Sequence, residues 1–455
     1  MHHTFRGGVH PKEHKTRSRE VPLTRFYPKG DVVIPVAQHI GKPAKPVVWK
    51  GDAVQVGQLI AEADGFVSAN VFSSCSGTVK AIEPRRVISG ALADCIVIEN
   101  DGKFTLAPGI GQTQEGGATK RRSPEEILEK VQWAGIVGLG GAGFPTHVKL
   151  KPKDPAAIKY VIANGAECEP YLTCNDRLMR EHPSEIRDGL CFVLSMFPNA
   201  VGCICIEENK PEAIEIMKES LVTDGGSIDN VSVLPLHTKY PQGGEHSLIY
   251  AVTGVDYPVS MLPADVGCIV LNVGTLYAIC RALVKNEPLY SHVLTVTGDA
   301  VKEPKNFIVH DGTSFRELAE ACGLDEAALK KALSGGPMMG FAAASLDVPV
   351  QKTTNGVTLL TADPVEDAQR QQTACLRCGR CTTVCPQGLL PQLMAEAADH
   401  RNFERYEKKL YGLECVSCGS CSYVCPAKRP LTQTFKQVKA EILAQKRAAQ
   451  AGGAK

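Results

Sequence analysis

CLRCGRCTTVCP, Cys375 to Pro386, and CVSCGSCSYVCP, Cys415 to Pro426, decide how the rest of this chain is read. Each run spaces its cysteines as C-x-x-C-x-x-C-x-x-x-C-P: Cys375, Cys378, Cys381 and Cys385, then Cys415, Cys418, Cys421 and Cys425. Closely spaced thiolates wrap three irons of a [4Fe-4S] cubane, and in two-cluster ferredoxins the remote fourth cysteine ligates the other cluster. The spacing therefore predicts two [4Fe-4S] clusters. One is expected on Cys375, Cys378, Cys381 and Cys425, the other on Cys415, Cys418, Cys421 and Cys385. Zinc sites use paired C-x-x-C half-sites and gain nothing from a third cysteine two residues on. Disulfides suit oxidising compartments and small cores, and this chain shows neither. The remaining question is what feeds electrons to the clusters and what takes them away.

A chain of 455 residues is several domains, because single cores stop growing at about 250 to 300 residues. The net charge of +1, from 50 basic and 49 acidic residues, implies no polyanion affinity, so no nucleic-acid partner is expected. Residues 1–30 carry seven Lys or Arg without an apolar core of signal-peptide length. The longest uncharged runs, 190–206 and 266–280, fall short of the roughly 20 apolar residues a spanning helix needs. The expectation is a cytoplasmic protein that meets a membrane only through partners. The other ten of the eighteen cysteines lack metal-like spacing and read as free and buried, as in VGCICI at 201–206.

Along the chain, residues 1–30 read as a basic, extended arm carrying FRGGVHP at 5–11, either a binding segment or a plain loop. Residues 31–101 are short strands broken by Gly-Asp, Gly-Gln, Asp-Gly and Ser-Gly, the signature of small hairpins. They resemble the half-barrel of biotinyl and lipoyl carrier domains, but the tip Asp64-Gly65-Phe66 has no lysine to modify, which leaves a structural or docking piece. A Gly, Gln and Thr-rich linker follows at 102–122. Ser123-Pro124-Glu125-Glu126 then starts a helix by its capping box, and Gly135 ends it.

GLGGAGFPTHVKL at 138–150 comes next. Gly138, Gly140 and Gly143 match G-x-G-x-x-G formally, yet a helix and only Ile136-Val137 precede them where a dinucleotide fold needs a strand. Physically, Gly138, Gly140, Gly141 and Gly143 let backbone N–H groups approach a ligand, Phe144 offers a stacking face and Lys149 a cation for phosphate. A short strand at 159–163 runs into NGAECEPY at 164–171, which sets Glu167 and Glu169 at a strand end beside Asn164. Open α/β sheets bind ligands at such ends. Helical and strand-like segments alternate from 183 to 284, arguing an α/β layer. Two of its strand ends are polar, KYPQGGEH at 239–246 and LNVGTL at 271–276.

Residues 138–150, 164–171, 240–245 and 272–276 together resemble the flavin and NADH-binding subunit of respiratory complex I. The resemblance implies FMN contacts at Gly138, Gly140, Lys149, Asn164, Tyr240, Gly243 and Asn272, and an NADH face at Phe144, Glu167, Glu169 and Glu245, with Glu167 and Glu245 as catalytic candidates. Three positions depart from that pattern: Ala166, Gly244 and Gly274 stand where the family carries acidic residues, and each removes a carboxylate near the dinucleotide. Residues 292–348 continue the likeness as a small β-grasp module, with Ser314 and Glu317 capping its helix. Between the cysteine runs, 389–398 and 401–413 carry apolar residues at helical spacing, and 436–446 reads as a basic helix before an Ala-Gly tail.

The order of modules resembles, over essentially the full length, the RnfC family of Rnf ion-translocating electron-transport complexes, which are ferredoxin:NAD oxidoreductases. The fold expected is multidomain α/β: a basic arm at 1–30, a lipoyl-like β half-barrel at 31–101, an α/β FMN/NADH-binding domain at 123–287, a β-grasp module at 288–362, a helical twin [4Fe-4S] ferredoxin-like region at 370–435, and a basic helix and tail at 436–455. Clusters carry one electron each and a nicotinamide carries two as hydride; a flavin exchanges with both. The resemblance implies FMN, NAD(H) and two [4Fe-4S] clusters on a peripheral subunit at the cytoplasmic face of the cell membrane. Its partners are then integral-membrane and iron–sulfur subunits of the same complex, through which electrons pass to or from ferredoxin. Two other readings stay open at this point, a soluble flavin and iron–sulfur reductase, for example of cobalamin, and an electron conduit with a dead glycine loop. Finally, Arg377 and Arg380 stand between ligands where the second run has Ser417 and Ser420, predicting a higher potential for the first cluster if they face it.

Overall fold

The computed structural model describes residues 3–223 and 226–452, which fall into two compact units. One comprises Met1–Lys12, Leu236–Val266 and Asp363–Lys455; the other comprises Glu13–Pro235 and Gly267–Ala362.

In the unit starting at Glu13, the arm ends in a strand, β1 (Leu23–Phe26). A barrel sandwich follows from β2 (Val32–Pro35), β3 (Lys45–Pro46), β4 (Ala53–Val54), β5 (Leu59–Glu62), β6 (Val71–Phe72), β7 (Gly77–Arg86) and β8 (Leu92–Asn100). One sheet runs β2-β8-β7-β4 and the other β3-β5-β6. Period-2 alternation sends Val32, Ile34, Val54, Ile60, Val79, Ile96 and Ile98 into a shared core. The lysine-free tip exposes Phe66.

α1 (Pro124–Trp133) opens with the capping box expected of Ser123 and Glu126, and Gly135 turns out of it at φ +61°. After α2 (Thr146–Lys149) come β9 (Tyr160–Asn164), α3 (Cys174–Glu181), α4 (Pro183–Leu194), β10 (Val201–Glu207) and α5 (Pro211–Ser220). A short hairpin of β11 (Val222–Thr223) and β12 (Gly226–Ser227) precedes β13 (Val231–Leu236). The chain then enters the other unit, where it forms α6 (Glu245–Thr253), and returns as β14 (Cys268–Asn272) and α7 (Val273–Lys285). The sheet order is β13-β10-β9-β14, with β10 and β14 both parallel to β9. Chain order thus runs one way from β9 to β10 and β13, then jumps back to β14. Such a switch point opens a crevice beyond the carboxyl ends of β9 and β14. Their interiors, Val161-Ile162-Ala163 and Ile269-Val270-Leu271, are continuous apolar runs, as parallel strands covered on both faces require. Cys203, Cys205 and Cys280 are free and buried here, as expected.

The last sheet comes from β15 (Ser291–Thr297), β16 (Lys305–His310), β17 (Lys331–Ser334), β18 (Phe341–Ala342) and β19 (Gly356–Leu360), with α8 (Phe315–Ala321) packed on it. Its order is β1-β16-β15-β19-β17-β18, so the arm supplies an edge strand parallel to β16. Ser314 caps α8 as read, but Glu317 does not close a capping box on it. Its carboxylate instead accepts from the N–H groups of Lys29 (2.7 Å) and Gly30 (3.0 Å), fastening the arm.

The unit containing the cysteine runs holds α9 (Pro364–Arg370), α10 (Arg380–Thr383), α11 (Pro391–Asp399), α12 (Ser420–Tyr423) and α13 (Leu431–Gly452). Met394, Ala395, Tyr406, Phe435, Val438 and Ile442 form its core. Two expectations change. The helix read at 401–413 is a single π turn, Arg405–Lys409, and a 3-10 turn, Gly412–Glu414, because Arg401 and Tyr411 take left-handed backbone at φ +51° and interrupt it. The basic helix is longer than read and not simply solvated: Phe435, Val438 and Ile442, spaced along one face, are buried in the core. Helix continues through Gly452, and the rest of the Ala-Gly tail lies outside the described residues. Among the described residues no helix is long and apolar enough to cross a membrane.

Candidate functional site

Asn164 and Asn272 are register partners at the carboxyl ends of β9 and β14. The Asn272 carboxamide oxygen accepts from the N–H of Gly274 (2.8 Å) and so caps α7, while its Nδ2 reaches the Asn164 carbonyl at 3.4 Å. α7 has no acidic residue in its first turn. Gly274, one of the departures noted above, therefore leaves the positive end of a long helix unopposed, which suits an anion such as a phosphate.

The glycine loop closes over this end. The N–H of Leu139 donates to Thr275 Oγ1 (3.0 Å) and that of Gly138 to the Phe144 carbonyl (2.9 Å). This leaves Gly140, Gly141 and Ala142 exposed at the tip and Phe144 half-buried. Gly140 sits at φ +72°, and a Cβ there would lie 3.0 Å from Asn272 Nδ2. Gly143 sits at φ +70°, where a Cβ would lie 2.6 Å from Thr353 Cγ2. Both positions need glycine on conformational and steric grounds. Only an isolated bridge, Val137 to Pro145, precedes the turn, so it is not a strand-to-helix dinucleotide turn. Lys149 Nζ donates to the Val270 carbonyl on β14 (2.9 Å).

The carboxylates read as an NADH face are engaged structurally. Glu167, at φ +49°, accepts from the N–H groups of Asn175 (2.7 Å) and Asp176 (3.2 Å) and caps α3. A carboxylate holding two helix-end N–H groups acts as a cap, a use that sequence reasoning did not anticipate. Glu169 accepts from the N–H groups of Met338 (3.1 Å) and Met339 (2.7 Å) and fastens a loop of the β-grasp sheet.

Two lysines that sequence reasoning did not single out hold the same turn. Lys15 Nζ donates to the carbonyls of Glu167 (2.7 Å) and Leu172 (2.6 Å). Lys210 Nζ donates to the Ala166 carbonyl (2.6 Å), Asn209 Oδ1 (2.9 Å) and Glu207 Oε2 (3.2 Å). Burial, then the neighbouring Lys210 charge, pushes the Lys15 ammonium below its ordinary range. Lys15 is one basic residue among several in its arm, and nothing local marks it as buried.

Tyr240, Gly243 and Glu245 lie in the other unit, with the cysteine runs. Tyr240 is 1% exposed and its hydroxyl donates to the Cys418 carbonyl at 2.6 Å. This contact beside a cluster cysteine is one that sequence reasoning did not anticipate. Glu245 is the first residue of α6, with Gly244 as its N-cap. FRGGVHP is clamped to the same place. Val9 and Tyr240 exchange both backbone hydrogen bonds (2.8 and 2.9 Å), and the N–H of Gly8 donates to the Val384 carbonyl (2.9 Å). Lys239 Nζ donates to the Gly7 carbonyl (3.0 Å) and lies 4.1 Å from the centre of the Phe5 ring. A Cβ at Gly7 would lie 2.9 Å from the Cys385 carbonyl oxygen, so the motif is a brace packed on the fourth cysteine of the first run.

Cys385, Cys415, Cys418 and Cys421 line one cavity together with Leu389, Met394 and Phe435. The fourth cysteine of the first run thus joins three of the second. Burial pushes the Cys385 thiol up to about 11 and that of Cys421 up to about 12. The two runs are local copies: Arg377 and Ser417 donate N–H to Cys375 Sγ and Cys415 Sγ, both at 3.4 Å, from backbone at φ +52° and +55°. In the first run Cys375 and Cys378 are exposed and Cys381 buried. The N–H of Thr373 donates to the Ala427 carbonyl (3.1 Å), bringing the chain just before Cys375 to the chain just after Cys425. Among the described residues no three His, Cys, Asp or Glu side chains gather as for a single metal ion.

Four family models match along the chain: the RnfC barrel sandwich hybrid domain over residues 3–103, the Nuo51 FMN-binding domain over 131–281, the SLBB domain over 293–342 and the 4Fe-4S dicluster domain over 374–429. The chain is 43% identical over 438 residues to the C subunit of the proton-translocating ferredoxin:NAD(+) oxidoreductase complex of Clostridium ljungdahlii, covering 96% of this chain and 94% of that one. It is 42% identical over 446 residues to the Na(+)-translocating counterpart of Acetobacterium woodii, covering 98% of each. Among solved structures, an NAD+-reducing [NiFe]-hydrogenase in the H2-reduced state aligns with a TM-score of 0.50 at 18% identity, over 76% of this chain and 72% of that one, a likeness of fold alone. With relatives of this identity aligned nearly end to end, the chain belongs to the RnfC family, the C subunits of ion-translocating ferredoxin:NAD+ oxidoreductase complexes.

Proposed function

We propose that this chain is the peripheral NADH, FMN and iron–sulfur electron-transfer subunit of a membrane-bound ferredoxin:NAD oxidoreductase coupled to ion translocation, seated at the cytoplasmic face of the cell membrane. Cys385 lining one cavity with Cys415, Cys418 and Cys421, on a chain that also carries an FMN-binding domain, is the observation that carries this reading. When bound, FMN supplies the exchange between a hydride pair and single electrons. The chain's part is to bind and to orient. The exposed tip of the glycine loop and the first turn of α7 would hold the flavin phosphate by backbone N–H groups, and Asn164 and Asn272 would orient the cofactor from the strand ends. Phe144 would offer the nicotinamide nucleotide a stacking face. Glu167, Glu169, Lys15 and Lys210 keep the intervening turn in shape.

Eight cysteines would hold two clusters crosswise, with Cys375, Cys378, Cys381 and Cys425 as one set and Cys385, Cys415, Cys418 and Cys421 as the other. Electrons would pass between these clusters and the other subunits of the complex, and through them to or from ferredoxin. A soluble reductase is the less favoured reading, because relatives named as parts of the complex align over nearly the whole chain.

Anaerobic purification with flavin and iron analysis, followed by an NADH-to-viologen assay, tests the proposal. One FMN and about eight irons per chain with NADH-dependent dye reduction are expected for a pair of four-iron clusters. Clusters without flavin, or flavin that NADH does not reduce, would refute it.

A further inference from the structure

Asp64-Gly65-Phe66, the lysine-free tip of the barrel sandwich, nests against a second turn, residues 38–42, and the pair is bonded to the glycine loop. The N–H of Lys42 donates to the Val67 carbonyl (3.0 Å), Ser68 Oγ to the Lys42 carbonyl (2.8 Å) and the N–H of Asp64 to Ser68 Oγ (3.0 Å). A Cβ on Gly41, at φ +110°, would lie 2.0 Å from the Val67 carbonyl oxygen, so the two turns meet backbone to backbone.

The barrel holds the glycine loop at both ends. Before the loop, Asn70 Nδ2 donates to the Trp133 carbonyl at the end of α1 (2.9 Å), and Lys352 Nζ joins the carbonyls of Asn70 and Gly135. After it, the N–H of Ile40 donates to the Gly143 carbonyl (3.2 Å), and His147 Nε2 on α2 donates to the Phe66 carbonyl (3.3 Å). A Cβ on Gly143 would lie 3.3 Å from the Gln38 carbonyl oxygen and 3.4 Å from His39 Cα, so loop and turn are in close backbone contact. What the turns leave uncovered is apolar. Phe66 is 67% exposed and Ile40 47%, on turns adjoining the exposed residues 140–142 and the half-buried Phe144. A lone exposed apolar side chain needs no explanation, but these two stand on turns that both bond to one loop and its helix. The charged pair beside them, Lys42 and Asp64, is closed on itself at 2.6 Å.

A nicotinamide exchanges hydride only in contact with the flavin, and the flavin phosphate is assigned above to the loop tip and the first turn of α7. The other half of the dinucleotide therefore leaves across a neighbouring surface. The surface bonded to Gly143, next to Phe144, is the barrel tip. A purine offers a flat face that stacks on aromatic side chains. We propose that the barrel tip is a wall of the dinucleotide site, with Phe66 and Ile40 receiving the adenine of NADH. This rests on the electron-transfer reading above, and no bond is made or broken at the tip.

The test uses the full chain with its flavin and clusters, NADH with a viologen acceptor, and ADP-ribose as a competing probe that keeps the adenine end and lacks the nicotinamide. Phe66→Ser changes an exposed side chain and keeps the carbonyl that His147 meets, and flavin and iron contents check that the fold is intact. KM for NADH is expected to rise about tenfold with kcat unchanged, and the inhibition constant of ADP-ribose to rise by the same factor, as loss of one stacked base predicts. Phe66→Trp, which restores a stacking face, is expected to keep both constants within about twofold of wild type. A fall in kcat alone, or a Trp variant as impaired as the Ser variant, would overturn the proposal. Equal constants in all three proteins, or ADP-ribose that fails to compete on wild type, would also overturn it and leave the tip as a face for another protein. A wild-type chain that holds FMN yet passes no electrons from NADH to the dye would instead refute the electron-transfer reading, so the two failures are told apart.

Discussion

Replacing Tyr240 by Phe removes one oxygen and little else, because the ring is already 1% exposed in a closed packing. That oxygen donates to the Cys418 carbonyl at 2.6 Å. Without it the carbonyl is left with a buried, unmet lone pair, which costs about 1 to 3 kcal/mol. At about 1.4 kcal/mol per factor of ten, the turn that carries Cys418 should open about five- to a hundredfold more often. The expected outcome is faster loss of one cluster. Under anaerobic conditions a ferrous chelator should strip iron from Tyr240→Phe in two phases, one at the wild-type rate and one quickened by that factor, and the quickened phase should carry the signal assigned to the second run. FMN content and affinity should match wild type. Iron release unchanged together with a fall in FMN affinity would refute the reasoning and restore Tyr240 to the flavin site.

Cys378→Ala should halve the iron content and spare the second cluster, whereas Cys385→Ala should remove the second cluster's signal although it lies in the first run; iron analysis with paramagnetic resonance checks both. Gly140→Val places a branched side chain at φ +72° with its Cβ 3.0 Å from Asn272 Nδ2, and losing two hydrogen bonds to a charged phosphate at about 1.5 to 3 kcal/mol each should weaken FMN binding at least a hundredfold, measured by fluorescence titration, with both clusters retained. Lys352 is buried, donates to the carbonyls of Asn70 (2.7 Å) and Gly135 (2.8 Å), and is pushed down by burial to about 8. Because its folded pKa lies below its unfolded one, the unfolded chain binds the extra proton between about pH 8 and 10.5. Stability contributed by Lys352 should therefore rise through that window, so denaturant melts of wild type and Lys352→Met should diverge in favour of wild type as pH increases. Arg377→Ser with Arg380→Ser should leave both cluster midpoints nearly unchanged in a redox titration at physiological salt, because the exposed guanidinium groups are screened over about 8 Å.

What was legible in the sequence was what is written locally. Cysteine spacing, the Ser123 capping box and the period-2 pattern of the barrel strands each fix their geometry within a few residues, and the structure carries all three. What was not legible depends on partners far along the chain. Lys15 is separated by 152 residues from the Glu167 carbonyl it donates to, and Tyr240 by 178 from Cys418. No spacing rule marks a lysine that will be buried under a turn, or a tyrosine whose hydroxyl will face a backbone carbonyl. Glu167 and Glu169 were read from their place at a strand end. Their carboxylates hold N–H groups supplied by α3 and by the loop before β18, contacts that no local pattern in the sequence shows. The arm was read as extended, and the β1 edge strand within it became visible only once β16 was in place to pair with it.

The unit with the cysteine runs is assembled from Met1–Lys12, Leu236–Val266 and Asp363–Lys455. During synthesis its first dozen residues leave the ribosome long before the residues they pack against. The N–H of Gly8 waits for the Val384 carbonyl, and the connection between β13 and β14 waits for Cys418. Contacts of such sequence separation form late and leave apolar surface uncovered in the interim. The region around the cysteines therefore draws part of its packing from segments outside the ferredoxin spacing. Cut out alone, it would lack the brace on Cys385 and the hydroxyl on Cys418. Enclosure of the second run therefore depends on contacts between segments far apart in sequence, which makes it a late step of folding.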